Sequence, residues 1–174
     1  MRKYLLAGLV VLLTSCASIP EGVTPIQGFE VNRFLGKWYE VARLNHPFER
    51  GLSNVTATYS LKSNGDIRVL NRGYNERKQR WQNAEGKAKF VAAPSTGRLK
   101  VSFFDPIYGG YNIIELDKEN YQYALVVGND RTYMWILSRT VKLNPAIQKR
   151  LIRKAKDLGF PVESLIYVEQ GTRN

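Results

Sequence analysis

The sequence predicts an all-β fold, with eight short antiparallel strands closed up-and-down into a barrel, one C-terminal α-helix packed outside it and a short ninth strand. Three observations predict it. Apolar and polar residues alternate with the two-residue period of a half-buried strand in segment after segment. Turn sequences separate these segments: Ser63-Asn64-Gly65-Asp66, Pro94-Ser95-Thr96-Gly97 and Gly128-Asn129-Asp130-Arg131. Ten Tyr, seven Phe and three Trp suit strands better than helices. The 174 residues suffice for one domain with a sizeable core. Closure removes exposed sheet edges, and eight strands close around a space just wide enough for one small ligand.

The elements follow in order. Trp38 to Leu44 is apolar-rich. From Asn54 to Leu61, Val55, Ala57, Tyr59 and Leu61 share one face, with Thr56, Thr58 and Ser60 on the other. Ile67 to Tyr74 places Ile67, Val69 and Asn71 opposite Arg68 and Arg72. Ala84 to Val91 sets Ala88 and Phe90 against Lys87 and Lys89. Leu99, Val101 and Phe103 alternate with Arg98, Lys100 and Ser102. Tyr111 to Leu116, Tyr123 to Gly128 and Tyr133 to Ser138 complete the eight. A helix then begins at the cap Asn144 with Pro145 in its first turn, and Gly159 ends it. Ile147, Leu151, Ala155 and Leu158 form its apolar stripe, while Lys149, Arg150, Arg153, Lys154 and Lys156 cover the remainder. Leu165 to Val168 is the short last strand.

Charge and cysteine count exclude several function classes. The formal charge is +11, and +9 without Arg2 and Lys3. A basic surface favours anionic partners, but no basic reading helix, aromatic platform or zinc spacing points to nucleic acid. Cys16 is the only cysteine, so no intramolecular disulfide can form. No Cys/His cluster offers a metal site, and no cofactor is expected. The single histidine, His46, lies in Asn45-His46-Pro47 and reads as a loop residue.

The chain opens with a short positive segment, Met1-Arg2-Lys3. The ten uncharged residues Tyr4 to Leu13 follow, far fewer than the roughly 20 of a spanning helix. Leu13-Thr14-Ser15-Cys16 resembles the bacterial lipobox, which implies cleavage before a lipid-modified Cys16. Residues 1–15 are then a signal peptide, residues 16–30 a lipidated cysteine and Pro/Gly/Ser-rich tether, and residues 31–174 the barrel with its helix. Two or more acyl chains make a stable anchor. Ala17, rather than Asp, after the cysteine implies by the same resemblance an outer-membrane destination; the barrel is expected to face the periplasm.

Asn32-Arg33-Phe34-Leu35-Gly36-Lys37-Trp38-Tyr39 resembles the Gly-x-Trp signature of lipocalins. Leu116-Asp117, Tyr121 and Ala124-Leu125-Val126 resemble the second signature more weakly, because Leu116 and Lys118 replace its Thr and Tyr. Trp135-Ile136-Leu137-Ser138-Arg139 is similar to the third. Together with Pro106-Ile107-Tyr108-Gly109-Gly110-Tyr111, these motifs place the chain nearest the bacterial, apolipoprotein D-like members. The resemblance implies that Gly36, Trp38 and Arg139 form a structural closed end in which the Arg lies on the Trp ring.

An expected pocket lined by Val55, Ala57, Tyr59, Ile67, Val69, Asn71, Phe90, Val101, Phe103 and Tyr111 favours acyl chains. The expected ligand is therefore a fatty acid, phospholipid or lysophospholipid, stored or carried for membrane maintenance under stress. Two alternatives stay open: a haem or pigment carrier, though His46 is the only His, and a lipocalin-fold enzyme. The thiol chemistry known for this fold is closed off if Cys16 is the anchor. Glu40 is the only acid expected inside, paired with a basic neighbour, so no catalytic residues are assigned. A homodimer is compatible with the sequence.

Overall fold

A computed structural model describes residues 18–171; the signal segment read over residues 1–15, and Cys16, lie outside the described residues. Eight strands run in sequence order: β1 (Gly36–Arg43), β2 (Leu52–Leu61), β3 (Ile67–Asn75), β4 (Arg80–Phe90), β5 (Arg98–Phe104), β6 (Ile107–Leu116), β7 (Tyr123–Val127) and β8 (Met134–Ser138). Each pairs antiparallel with the next, and β1 pairs with both β8 and β2, which closes the barrel. The up-and-down path sends the loops 44–51, 76–79, 105–106 and 128–133 to one end, the open rim. The helical turn α1 (Val31–Phe34), the β2–β3 turn and the β4–β5 turn lie at the other.

The strands start earlier than alternation alone suggested. β4 begins at Arg80 and β6 at Ile107, because ladder pairing with the neighbouring strand carries each one past its alternating stretch. Leu61 lies beyond the covered part of β2 and is exposed.

β1 and β2 pair only over Gly36–Tyr39 and Tyr59–Thr56. Above that point they part, and the register of β1 slips between Glu40 and Ala42. The C-terminal segment fills the wedge. β9 (Ile166–Tyr167) bonds the free edge of β1 at Ala42 and Arg43. Val168 donates its N–H to Val41 O (3.0 Å), and Asn54 donates to Glu169 O (2.7 Å). The side-chain amide of Gln170 then donates to Glu40 O and Val55 O, both at 2.8 Å, and so supplies the cross-strand bonds that β1 and β2 lack there. Buried backbone carbonyls need such partners.

Two cores flank the sheet. Inside, Phe34, Trp38, Tyr59, Ile67, Val69, Leu99 and Ile113 pack the lower barrel. Outside, α2 (Pro145–Asp157) lays Leu151 and Ala155 against Ile114, Leu125, Val127 and Ile136. Asn144 caps α2 by accepting the Ala146 N–H at 2.8 Å. Gly159, with φ +81°, ends it; the bonds Gly159 N–H to Lys156 O and Phe160 N–H to Ala155 O form a Schellman motif. Two of the helix cations are engaged on the barrel: Arg150 and Lys154 both bond Glu115 on β6.

Residues 18–30, read from sequence as part of a tether, pack along the barrel wall. Ile26 exchanges bonds with Ile113 O and the Gly97 N–H (2.9 Å each), and Phe29 donates to Ser95 O (2.8 Å). Pro and Gly hide a three-residue spacing of apolar groups, Val23, Ile26 and Phe29, that docks this segment; Val23 and Phe29 are buried.

Candidate functional site: the open-ended barrel interior

The closed end is built around Trp38, which is fully buried. Its indole N–H donates to Phe34 O at 2.8 Å. The Arg139 guanidinium lies 4.0 Å above the indole ring and bonds the surrounding backbone. Nη2 donates to the carbonyls of Arg33 (2.8 Å), Phe34 (3.2 Å) and Leu35 (2.9 Å). Nη1 donates to Lys37 O (2.9 Å) and Nε to Tyr121 O (3.2 Å). A helical turn as short as α1 leaves its carbonyls unpaired, and the arginine satisfies them. Gly36, at φ +94°, places its Cα where a Cβ would approach Arg139 Nη1 to 3.3 Å.

Above this floor the interior opens into a cavity of about 500 Å³ at the rim, within the usual range of small-ligand sites. Val55, Asn71 and Phe103 border it, as do Leu52, Gly73 and Ala84. Of the other residues expected to line a pocket, Ala57, Tyr59, Ile67, Val69, Phe90, Val101 and Tyr111 point inward but belong to the packed lower core. Tyr59 and Tyr111 hydrogen-bond each other at 2.7 Å, and burial pushes both phenols well above their ordinary proton affinity. They are satisfied and neutral. Asn71 differs: its Oδ1 is buried without a partner.

Two glycines shape the space. A Cβ at Gly73 would meet Leu52 and Val55 side chains at 3.0–3.3 Å, and one at Gly86 would meet the Phe103 ring at 2.8 Å. Leu52 joins this interior face because the β2 register shifts between Ser53 and Thr56. The sequence signal was present, since Gly73 and Gly86 fall at inward-facing positions of their strands.

An ionic cluster stands at the open end. Glu40 pairs with Arg43 as expected (2.8 Å), but it is not the only acid inside: Glu49 is also buried. Arg43 Nη2 donates to Glu49 O at 2.7 Å. His46 is no mere loop residue; it is buried, 3.0 Å from Glu49 Oε2, with its ring edge-on to Trp135. The Trp135 indole N–H donates to the same Glu49 oxygen at 3.0 Å. Burial, and then the neighbouring Glu49 charge, hold the Glu40 carboxyl well above the usual range. Burial works the same way on Glu49, but bonds from His46 and Trp135 and the Arg43 charge outweigh it and lower the proton affinity. A carboxylate pair pushed apart in this way can serve acid–base chemistry. Here only Glu49 borders the cavity, and the cluster ties the 44–51 loop to the barrel wall. Among the described residues no group of three or more His, Cys, Asp and Glu side chains is placed to hold a metal.

A closed eight-stranded barrel, plugged at one end by a Trp–Arg pair and holding a cavity at the other, is a cup-shaped barrel. The chain belongs to the lipocalin family: residues 29–170 match the lipocalin-like domain. It is similar to the outer membrane lipoprotein Blc of Vibrio cholerae, 53% identical over 170 residues that cover 98% of this chain and 99% of that one. Blc of Escherichia coli K12 is 49% identical over 164 residues, covering 94% and 92% respectively. Among solved structures, insecticyanin from Manduca sexta superposes with a TM-score of 0.71 at 16% identity, over 89% of this chain and 88% of that one, which shows the shared fold.

Proposed function

We propose that this chain is a lipid-anchored lipocalin of the outer membrane. It would hold an acyl chain of a fatty acid, phospholipid or lysophospholipid in the rim cavity and store or carry it for membrane maintenance under stress. The observation that carries the reading is the rim cavity of about 500 Å³ above a floor of packed aromatic and aliphatic side chains. The Blc relatives, named as outer membrane lipoproteins, support the location. Leu13-Thr14-Ser15-Cys16 supports acyl anchoring through Cys16.

The energetics suit a tail. Burying fourteen methylenes contributes at most about 11 kcal/mol. Association and chain ordering cost several kcal/mol of this, which leaves affinities near the micromolar range. Titration of soluble residues 17–174, stripped of lipid, with a fluorescent fatty acid tests the reading. Saturable binding displaced by lysophospholipid is expected. A signal that neither saturates nor is displaced would overturn it. A Soret band on the purified protein would instead favour a haem carrier.

A further inference from the structure

We propose that the outer face of α2 docks the side of the barrel on an anionic phospholipid surface, so that the barrel lies along the membrane and its rim stays clear of it. The proposal rests on the membrane location proposed above.

Its first support is the arrangement of charge on the helix. Leu151 and Ala155 turn toward the barrel and are buried. A helix advances about 100° per residue, so Lys149, Arg153 and Lys156 fall within about 60° of one another on the side opposite Leu151. All three are exposed. α2 carries five cations, and Asp157 is its only acid. Arg150 and Lys154 belong to the barrel wall, where Glu115 holds both. Lys149, Arg153 and Lys156 pair with no acid among the described residues. Lys142, exposed in the loop that leads into the helix, extends their stripe. Asp157 ends the helix and Glu163 follows it, so the acids gather past its C-terminal end rather than among the cations.

The second support is apolar. Val141 (48%) and Tyr167 (59%) are exposed beside the start of the helix. They border a shallow outer cleft of about 270 Å³ together with Lys142, Leu143 and Gln148. An apolar edge next to a cationic stripe suits a membrane interface. The apolar side chains enter the boundary between headgroups and acyl chains, and the cations meet the phosphates.

The third support is the contrast with the opposite wall. β3 stands four strands from β7 in the closed ring, and the cations of that side are engaged within the protein. Arg68 pairs with Glu85, Lys87 with Asp105 and Lys89 with Asp66. Arg72 and Lys100 lie over the rings of Trp81 and Tyr108. Of the two walls, the one beneath α2 holds the uncompensated charge. Residues 18–25 join the barrel on that wall as well: Arg131 donates to Glu21 O (2.7 Å) and to Leu158 O (2.8 Å), and Val23 packs in the outer core under α2. Two copies set helix to helix would oppose like charges, which disfavours a second chain as the occupant.

The test uses the lipidated protein in phosphatidylethanolamine/phosphatidylglycerol vesicles. Cys16 is the only native cysteine, so an introduced cysteine is the only free thiol once Cys16 is acylated. A polarity-sensitive fluorophore is attached at Val141→Cys or Ala146→Cys on the helix side, or at Asn64→Cys in the β2–β3 turn across the barrel. Labels on the helix side are expected to shift to the blue and to be quenched severalfold more by lipid-borne nitroxide than the Asn64 label. Each Lys or Arg held at an anionic surface favours the docked arrangement about fivefold. Lys149→Glu with Arg153→Glu and Lys156→Glu should therefore disfavour it by about a hundredfold or more and erase the contrast, while the protein still floats with the vesicles. High salt, or vesicles of phosphatidylcholine alone, should erase the contrast in the parent chain without any substitution at these cations. Equal quenching on both sides of a parent protein that floats, or a contrast that survives both high salt and the triple variant, would overturn the docking and leave the anchor intact. A protein that neither floats nor carries acyl mass on its N-terminal peptide would remove the membrane location, and the proposal with it. A blue shift at Ala146→Cys that appears in detergent and follows protein concentration would assign the helix face to a second copy and overturn the proposal.

Discussion

Arg139→Met is expected to loosen the closed end without touching the cavity. The methionine keeps most of the apolar stem over Trp38 but removes a guanidinium that bonds five backbone carbonyls. Nη2 has two hydrogens for three of those acceptors, so four bonds at most form at once. Charge-assisted bonds contribute about 1.5–3 kcal/mol each when buried. The Arg139 head is half-exposed, and water can replace part of what is lost, so the lower end of that range for about half of the bonds is the fair count. Adding about 0.5–1 kcal/mol for the ring contact gives a destabilisation of about 3–4 kcal/mol. For a domain of this size that corresponds to a fall in Tm of roughly 6–16 °C. Urea and thermal unfolding followed by circular dichroism measure it. Arg139→Lys keeps the charge but loses the fork and should forfeit most of the same stability. Fatty-acid affinity of the folded variant should match the parent, because the cavity lies at the other end. A loss below about 1 kcal/mol, the worth of an ordinary surface ion pair, would mean that the guanidinium does not hold the closed end together, as would a lysine variant as stable as the parent.

Three further outcomes are expected. The raised Glu40 carboxyl means that, between the ordinary glutamate value and its own, the folded protein holds a proton that the unfolded chain has lost; stability therefore falls as pH rises through that window. Glu40→Gln, which still accepts from Arg43, should flatten the decline in urea midpoint above about pH 5, and an unchanged slope would exclude Glu40 as its source. Asn71→Leu removes a buried oxygen without a partner from the cavity wall and should tighten acyl-chain binding by roughly five- to tenfold, about 1–1.4 kcal/mol in a fluorescent fatty-acid titration; unchanged or weaker binding would mean that the tail does not reach this wall. Gly110→Val has no room beside Asn129 and Ser18 and should cost about 1–3 kcal/mol while making residues 18–25 more sensitive to limited proteolysis, whereas parental proteolysis would show that the N-terminal segment is not held there.

Much of the architecture was legible because strand alternation is a local signal. Tyr59, Ile67, Val69, Leu99 and Val101 face inward as their spacing requires, and Val55 borders the cavity. Trp38 and Arg139 meet although a hundred residues separate them, and only the resemblance connected them in the sequence. The division of the interior into filled floor and open cavity was not legible. It depends on which inward positions are glycine and on which strand supplies the ring opposite, as Phe103 does for Gly86. The ionic cluster was hidden for another reason. Glu40, Arg43, His46 and Glu49 recur every third residue, a spacing that suggests neither a strand nor a paired site. A slip in β1 and a short 3₁₀ turn at Pro47–Glu49 bring them together. Residues 18–30 misled because their Pro and Gly content resembles a linker, whereas three apolar side chains settle whether such a segment docks.

The wedge between β1 and β2 bears on how the chain reaches this state. The upper half of β1 borrows its neighbours from far downstream, Ile136 and Tyr167 opposite Ala42, with Gln170 completing the bonds to Glu40 O and Val55 O. Pairings so distant in sequence give the fold a high contact order and slow formation. A chain delivered N-terminus first thus presents the upper half of its first strand with both edges bare, and bare edges recruit other chains. The barrel cannot be assembled piecemeal. Its opening strand stays vulnerable until nearly the last residue has arrived, so deletion of the final few residues, far from any cavity wall, should act as a defect of assembly before it acts as a defect of binding.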